Sequence, residues 1–136
     1  MDGQHKFFRL KISSSYISDP HLQFMSANSL GKDDVVVAIS QSGTTAALIE
    51  SIKIVRKNGA KVIGIMPGDT PLANICDFPL TINVGSNNRI SKPVTSRIAY
   101  TAVIDVLTMG VAQLKPEAQD HLYNIADSQR SLKVDN

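Results

Sequence analysis

Residues 34–66 constrain the fold more than any other part of the chain, because they read as a strand, a polar hexapeptide, a helix and a second strand in unbroken succession. The run 34–39, DVVVAI, is apolar after Asp34, largely β-branched and without polar alternation, the pattern of a strand buried on both faces of a parallel sheet. The helix over 45–57 carries Leu48, Ile52 and Val55 at spacings of four and three, one core-facing stripe, and stops at Asn58-Gly59. The second strand, 61–66, is halted by Pro67-Gly68-Asp69-Thr70-Pro71; after one helical turn over 72–76, a third apolar strand spans 78–84. Strands alternating with helices pair in parallel through right-handed crossovers, which leaves the ligand crevice beyond their carboxyl ends. The expected class is α/β with a parallel sheet.

The hexapeptide Ser40-Gln41-Ser42-Gly43-Thr44-Thr45 falls at a strand's carboxyl end and a helix's amino end. The first N–H groups of a helix have no intrahelical partner and the dipole there is positive, so an anion is stabilised at that point. One hydroxyl suffices to cap a helix and contributes about 1 kcal/mol. Four hydroxyls and an amide side chain exceed that need and point to an anion site, with Gly43 letting the backbone turn close to the ligand. The segment lacks the Gly-Lys-Ser/Thr ending of a Walker loop and the three-glycine spacing of a dinucleotide fingerprint.

At 136 residues the chain, 1–136, is expected to be one domain burying roughly two thirds of its unfolded surface. A net charge of +2 and an aromatic share of 5% without tryptophan argue against an extended nucleic-acid surface or base-stacking platform. Cys76 is the single cysteine, which excludes an internal disulfide, suits a reduced cytoplasmic setting and leaves no Cys/His spacing for a metal. No cofactor is implied. No run is expected to reach the ~18 apolar residues of a membrane span.

Upstream, 4–10 reads as the end of a helix, 11–17 as a short strand, and Ser18-Asp19-Pro20 as the cap of a helix running to about residue 30, with Leu22, Met25 and Leu30 apolar. Downstream, 85–95 is a polar loop and 96–114 a long helix, with Ile98, Ala102, Val106 and Met109 on one side and Val103, Ile104, Leu107 and Val111 on others. A helix apolar most of the way round needs cover on more than one face, from a second subunit or from its own core. A final, mostly polar helix starts at Pro116.

Few other residues offer chemistry. His5 and His121 read as solvated, whereas His21, after a strand end, could face the crevice. Arg89, Lys92 and Arg97 lie beyond the third strand; Arg97, held by the long helix, is the first choice to meet a second anionic group of a ligand. Glu50 and Asp105 are isolated carboxylates on helices. No acid–base pair of the kind an isomerase needs is placed near the hexapeptide, so no catalytic residue is assigned.

The order strand, SQSGTT, helix, NGAKVIGI and proline-bearing loop resembles the sugar isomerase (SIS) domain. QHKFFRL, SDPHLQFMSA, DDVVVAISQSGTT and SRIAYTAVIDVL, in that order, are similar to the effector domain of RpiR-type bacterial regulators, in particular those of hexose metabolism. The resemblance implies a three-layer α/β/α sandwich that binds a phosphosugar, with the phosphate on Ser40, Gln41, Ser42 and Thr45; Thr44 holds a variable position. It further implies a sugar phosphate or phosphorylated sugar acid as effector, with 2-keto-3-deoxy-6-phosphogluconate favoured, a homodimer, and DNA contact through a helix-turn-helix domain upstream of Met1. Family members add a serine from a GxGxS loop after the first SIS strand. Met1 aligns inside the helix that follows that strand, so the chain is expected to be truncated there. A phosphosugar isomerase and a purely dimerising domain are the alternatives.

Overall fold

The computed structural model describes residues 14–83, 92–114, 127, 128 and 130, with backbone alone for 92–96. The elements are α1 (Pro20–Ser29), β1 (Val35–Ile39), α2 (Ala46–Lys57), β2 (Lys61–Met66), α3 (Pro71–Ile75), β3 (Phe78–Thr81) and α4 (Lys92–Leu114). Segments 4–10 and 116–126, and with them His5 and His121, lie outside the described residues, as does Arg89.

Local chemistry sets the boundaries. Asp19 caps α1, its Oδ1 accepting from the Leu22 N–H at 3.0 Å, and Pro20 occupies the first helical position, where a missing N–H costs nothing. The α1 boundaries match expectation. Ala27 is its buried residue and Leu22, Phe24 and Met25 face outward. The expected strand over 11–17 has no strand geometry in its described part, 14–17, where the Ile17 carbonyl accepts from the Gln23 side chain at 3.1 Å instead of from a neighbouring strand. The helix α4 begins at Lys92, four residues earlier than the composition of 85–95 suggests, with Pro93 in its first turn.

The three strands are parallel in the order β1-β2-β3, with Val35 opposite Lys61 and Ile63 opposite Phe78. Residues opposite one another share a face, so the register sorts the side chains into two sets. Ala38, Val62 and Met66 lie on one face and pack with Ala27, Ile52, Val55 and Leu72 into the core. Of the predicted α2 stripe, Ile52 and Val55 are in that core and Leu48 packs against it.

On the opposite face Val35 is 61% exposed, Ile39 44% and Phe78 57%, while Ile65 is fully buried. The expectation that 34–39 is covered on both faces is therefore corrected: β1 is an edge strand among the described residues, and β2 has neighbours on both sides. Gly64, in the middle of β2, has a packing reason. A Cβ there would run into the Met66 methyl and the Cys76 sulfur, and would stand 3.2 Å from the Cys76 Cβ.

The sheet belongs to a compact unit, Ile17–Tyr100; a second unit takes in the remaining residues, of which Thr101–Leu114 of α4 form the longest described stretch. On α4, Ile98, Val106 and Met109 are exposed. The window Arg97–Leu114 has a mean hydropathy of 1.2 over 18 residues, enough by length and composition to cross a membrane and a correction to the expected absence of such a run. Asp105 stands in its middle, where a carboxylate at the centre of a bilayer costs about 2.5–3.5 kcal/mol.

Candidate anion-binding site

Three chain segments meet beyond the carboxyl ends of the strands. The first is the hexapeptide. The Ser40 N–H donates to the Ile65 carbonyl at 3.0 Å, extending the ladder by one bond past β1, and the chain then leaves the sheet. The Ser40 Oγ, buried, accepts from the Gly43 N–H at 2.9 Å and lies 3.5 Å from the Thr45 Oγ1. Ser42, exposed, turns its Oγ to the Thr44 N–H at 3.2 Å. Ser40 and Thr45 thus come together as expected, whereas Ser42 and Thr44 pair with each other along the loop.

The second segment is 67–70, after β2. The Thr70 Oγ1 donates to the Pro67 carbonyl at 2.9 Å and accepts from the Ala73 N–H at 3.4 Å, capping α3. It also packs on Gly43. A Cβ at Gly43 would meet the Thr70 Oγ1 and would stand 2.5 Å from its Cβ and 2.8 Å from its Cγ2. Gly43 has φ +69, in the left-handed region, and the Leu72 N–H donates to its carbonyl at 3.1 Å. Glycine was expected here for close approach to a ligand; the close approach observed is to the neighbouring loop. The third segment follows β3, where the Asn83 Oδ1 accepts from the Gly68 N–H at 3.1 Å and steadies the second loop.

The loop leaves donors open. Thr45 is the N-cap of α2 and makes no side-chain capping bond. The first N–H of α2 with a backbone acceptor outside the helix is that of Ile49, on the Thr45 carbonyl at 3.0 Å. The N–H groups of Gln41 and Ser42 also meet no acceptor among the described residues. Uncapped first-turn N–H groups at the positive end of a 12-residue helix, beside loop N–H groups and the Thr45 hydroxyl, form a cluster of donors suited to an oxyanion.

Tyr100 is the contact that the sequence did not reveal. Its side chain is buried, and its hydroxyl donates to the Ser40 carbonyl at 3.2 Å. Burial raises its pKa, so the donor proton stays in place at neutral pH. A phenol within an apolar helix was the available signal, since a buried tyrosine hydroxyl needs a partner. Arg97 is exposed one turn earlier on the same helix, and His21 is exposed on the first turn of α1; Tyr100 is a side chain of α4 whose contact with the loop is described. Glu50 pairs with Lys53 at 3.0 Å on the surface of α2, facing no part of the loop through that contact. Among the described residues no group of three His, Cys, Asp or Glu side chains is placed to hold a metal.

The sequence pattern that defines the SIS domain matches residues 1–110, more than half of the chain. The chain belongs to the SIS domain family. Two similar proteins are transcriptional regulators named HexR: that of Pseudomonas aeruginosa is 37% identical over 129 residues (94% of this chain, 45% of the relative), and that of Escherichia coli 34% over 135 residues (98% and 47%). The chain therefore spans about half the length of the curated relatives it matches. The fold is also that of the Vibrio vulnificus NanR protein complexed with ManNAc-6P, with a TM-score of 0.83 at 21% identity over 96% of this chain and 50% of that one. For this SIS domain, the α/β class and the parallel sheet expected from sequence hold.

Proposed function

We propose that residues 1–136 form a single SIS domain that senses a phosphosugar for a transcriptional regulator of carbohydrate metabolism. The observation that carries it is the set of open donors at the start of α2: the first-turn N–H groups, the N–H groups of Gln41 and Ser42, and the Thr45 hydroxyl. These would hold the phosphate, with Gly43 shaping the loop and Thr44 at its margin. Arg97 and His21 are the candidates for the ligand's other end. Similarity to HexR favours a phosphorylated sugar acid, specifically 2-keto-3-deoxy-6-phosphogluconate, over other sugar phosphates.

A sensor needs no acid–base pair, and the one described carboxylate on α2, Glu50, is engaged with Lys53. We therefore favour a sensor over an isomerase, acting without cofactor or metal. In the whole protein, effector binding would change the DNA affinity of a separate helix-turn-helix domain; such couplings amount to about 1–3 kcal/mol. The exposed Ile98, Val106 and Met109 of α4 suit pairing with a second copy in the cytoplasm better than a membrane, given Asp105 among them.

Thermal unfolding tests this directly. A ligand at a hundred times its Kd stabilises by about 2.7 kcal/mol. The phosphorylated sugar acid should raise Tm, its unphosphorylated counterpart should not, and Thr45→Ala, which removes the one side-chain donor of the set, should diminish the shift. A folded sample indifferent to every sugar phosphate would overturn the proposal.

A further inference from the structure

We infer that Tyr100 is a positioning residue of this loop: by donating to the Ser40 carbonyl it fixes the Ser40–Gln41 peptide plane, and with it the direction in which the Gln41 N–H is offered to an anion. The inference rests on the anion-site reading above.

In a trans peptide the C=O and the following N–H lie in one plane and point in opposite directions. No peptide bond of the described chain is cis. The Ser40 carbonyl is turned to the Tyr100 hydroxyl at 3.2 Å, so the Gln41 N–H points away from α4. The other side of Ser40 is held as well, its N–H by the Ile65 carbonyl at 3.0 Å and its Oγ by the Gly43 N–H at 2.9 Å. Tyr100 is thus the only described contact on the one polar group of Ser40 that governs the next peptide. Without it the plane could rotate, and a rotated plane would present a carbonyl oxygen, partly negative, where the anion needs a donor. Tyr100 is buried and its hydroxyl serves no other described group, which agrees with a role confined to that carbonyl.

The test uses the chain with inorganic phosphate as the probe, followed by calorimetric titration and by amide NMR. In the wild type the Gln41 amide proton should move downfield on saturation, together with those of Ala46 and Ala47. Tyr100→Phe, which keeps the ring and removes only the hydroxyl, should weaken phosphate binding roughly three- to tenfold, as expected for one misdirected hydrogen bond. It should also abolish the Gln41 response while the Ala46 and Ala47 amides still move. A general loss of packing would diminish all three together. Tyr100→Phe with wild-type affinity and a wild-type Gln41 shift overturns the inference and leaves the anion site standing. Should that variant not fold, the wild type decides alone, because a Gln41 amide that stays still while Ala46 and Ala47 move overturns it equally. A wild type that binds no phosphate removes the anion-site reading and the inference with it.

Discussion

Gly43→Ala isolates the way two loops build the site. The residue has φ +69, and a side chain in that region costs about 1–2 kcal/mol. The added methyl would also drive into Thr70, whose Cβ and Cγ2 would lie 2.5 and 2.8 Å away, an overpacking that costs about 1–3 kcal/mol. Reduced entropy of the unfolded chain returns roughly 0.4–1 kcal/mol. The net loss should therefore be about 1–4.5 kcal/mol, read as a lower urea midpoint at unchanged slope. The two contributions separate in a double-mutant cycle with Thr70→Gly, which deletes every atom in the methyl's path and, at an N-cap, costs only a few tenths of a kcal/mol for the cap itself. In that background Gly43→Ala should cost only its backbone share, so the two substitutions should couple by about 1–3 kcal/mol. Additivity within about 0.5 kcal/mol would refute the idea that Thr70, and not the backbone alone, demands glycine at this position.

Further outcomes follow from the same geometry. Ser40→Ala should lower stability by about 1–3 kcal/mol even without ligand, since it strands the buried Gly43 N–H, and Ser42→Ala should cost less than about 0.5 kcal/mol; urea titration of both compares them. Gly64→Ala should destabilise by about 1–3 kcal/mol through collision with Met66 and Cys76, and a companion Cys76→Ala should recover part of the loss, measured by thermal unfolding. Asp77 has its pKa held below the ordinary carboxylate value, first by the Val62 N–H at 2.8 Å and then by Arg56, whose guanidinium lies at 3.3 Å. A carboxylate with a depressed folded pKa contributes stability above its unfolded pKa and loses it as pH falls through the folded one. The advantage of the wild type over Asp77→Asn should therefore hold from pH 7 to about pH 5 and shrink below about pH 4; an advantage undiminished at pH 3 would count against it.

What the sequence made legible was what is local. The bounds of β2 are the same in both, and those of α1, β1, α2 and α3 shift by no more than a residue or two, because caps, glycine stops and proline punctuation act within a few residues of themselves. Which face each apolar residue serves was less accessible. The run 35–39 is apolar throughout, and periodicity cannot distinguish a strand covered on both faces from an edge strand whose second face is half open, as Val35 and Ile39 are. Leu22 and Met25 show the same limit, apolar by type but outward by tertiary placement. At the site, the hexapeptide was visible as a motif. Its two partners were not, since Thr70 and Tyr100 lie 27 and 57 positions beyond Gly43 and reach the loop only through the parallel crossovers.

That difference changes how the motif itself is understood. Its hydroxyls appear in the sequence as equivalent ligand groups, yet all three polar groups of Ser40 are engaged: the N–H on Ile65, the Oγ with Gly43, the carbonyl with Tyr100. Ser40 is then a builder of the loop. The groups of the motif that stay open are the N–H groups of Gln41 and Ser42, the start of α2, and Thr45, whose hydroxyl lies at the edge of hydrogen-bond reach from Ser40 and does not cap its own helix. A loss of binding in Ser40→Ala would consequently report a collapsed loop, whereas a loss in Thr45→Ala at unchanged stability would report a missing contact. Measuring urea midpoints beside affinities for the two variants separates framework from ligand within one six-residue motif.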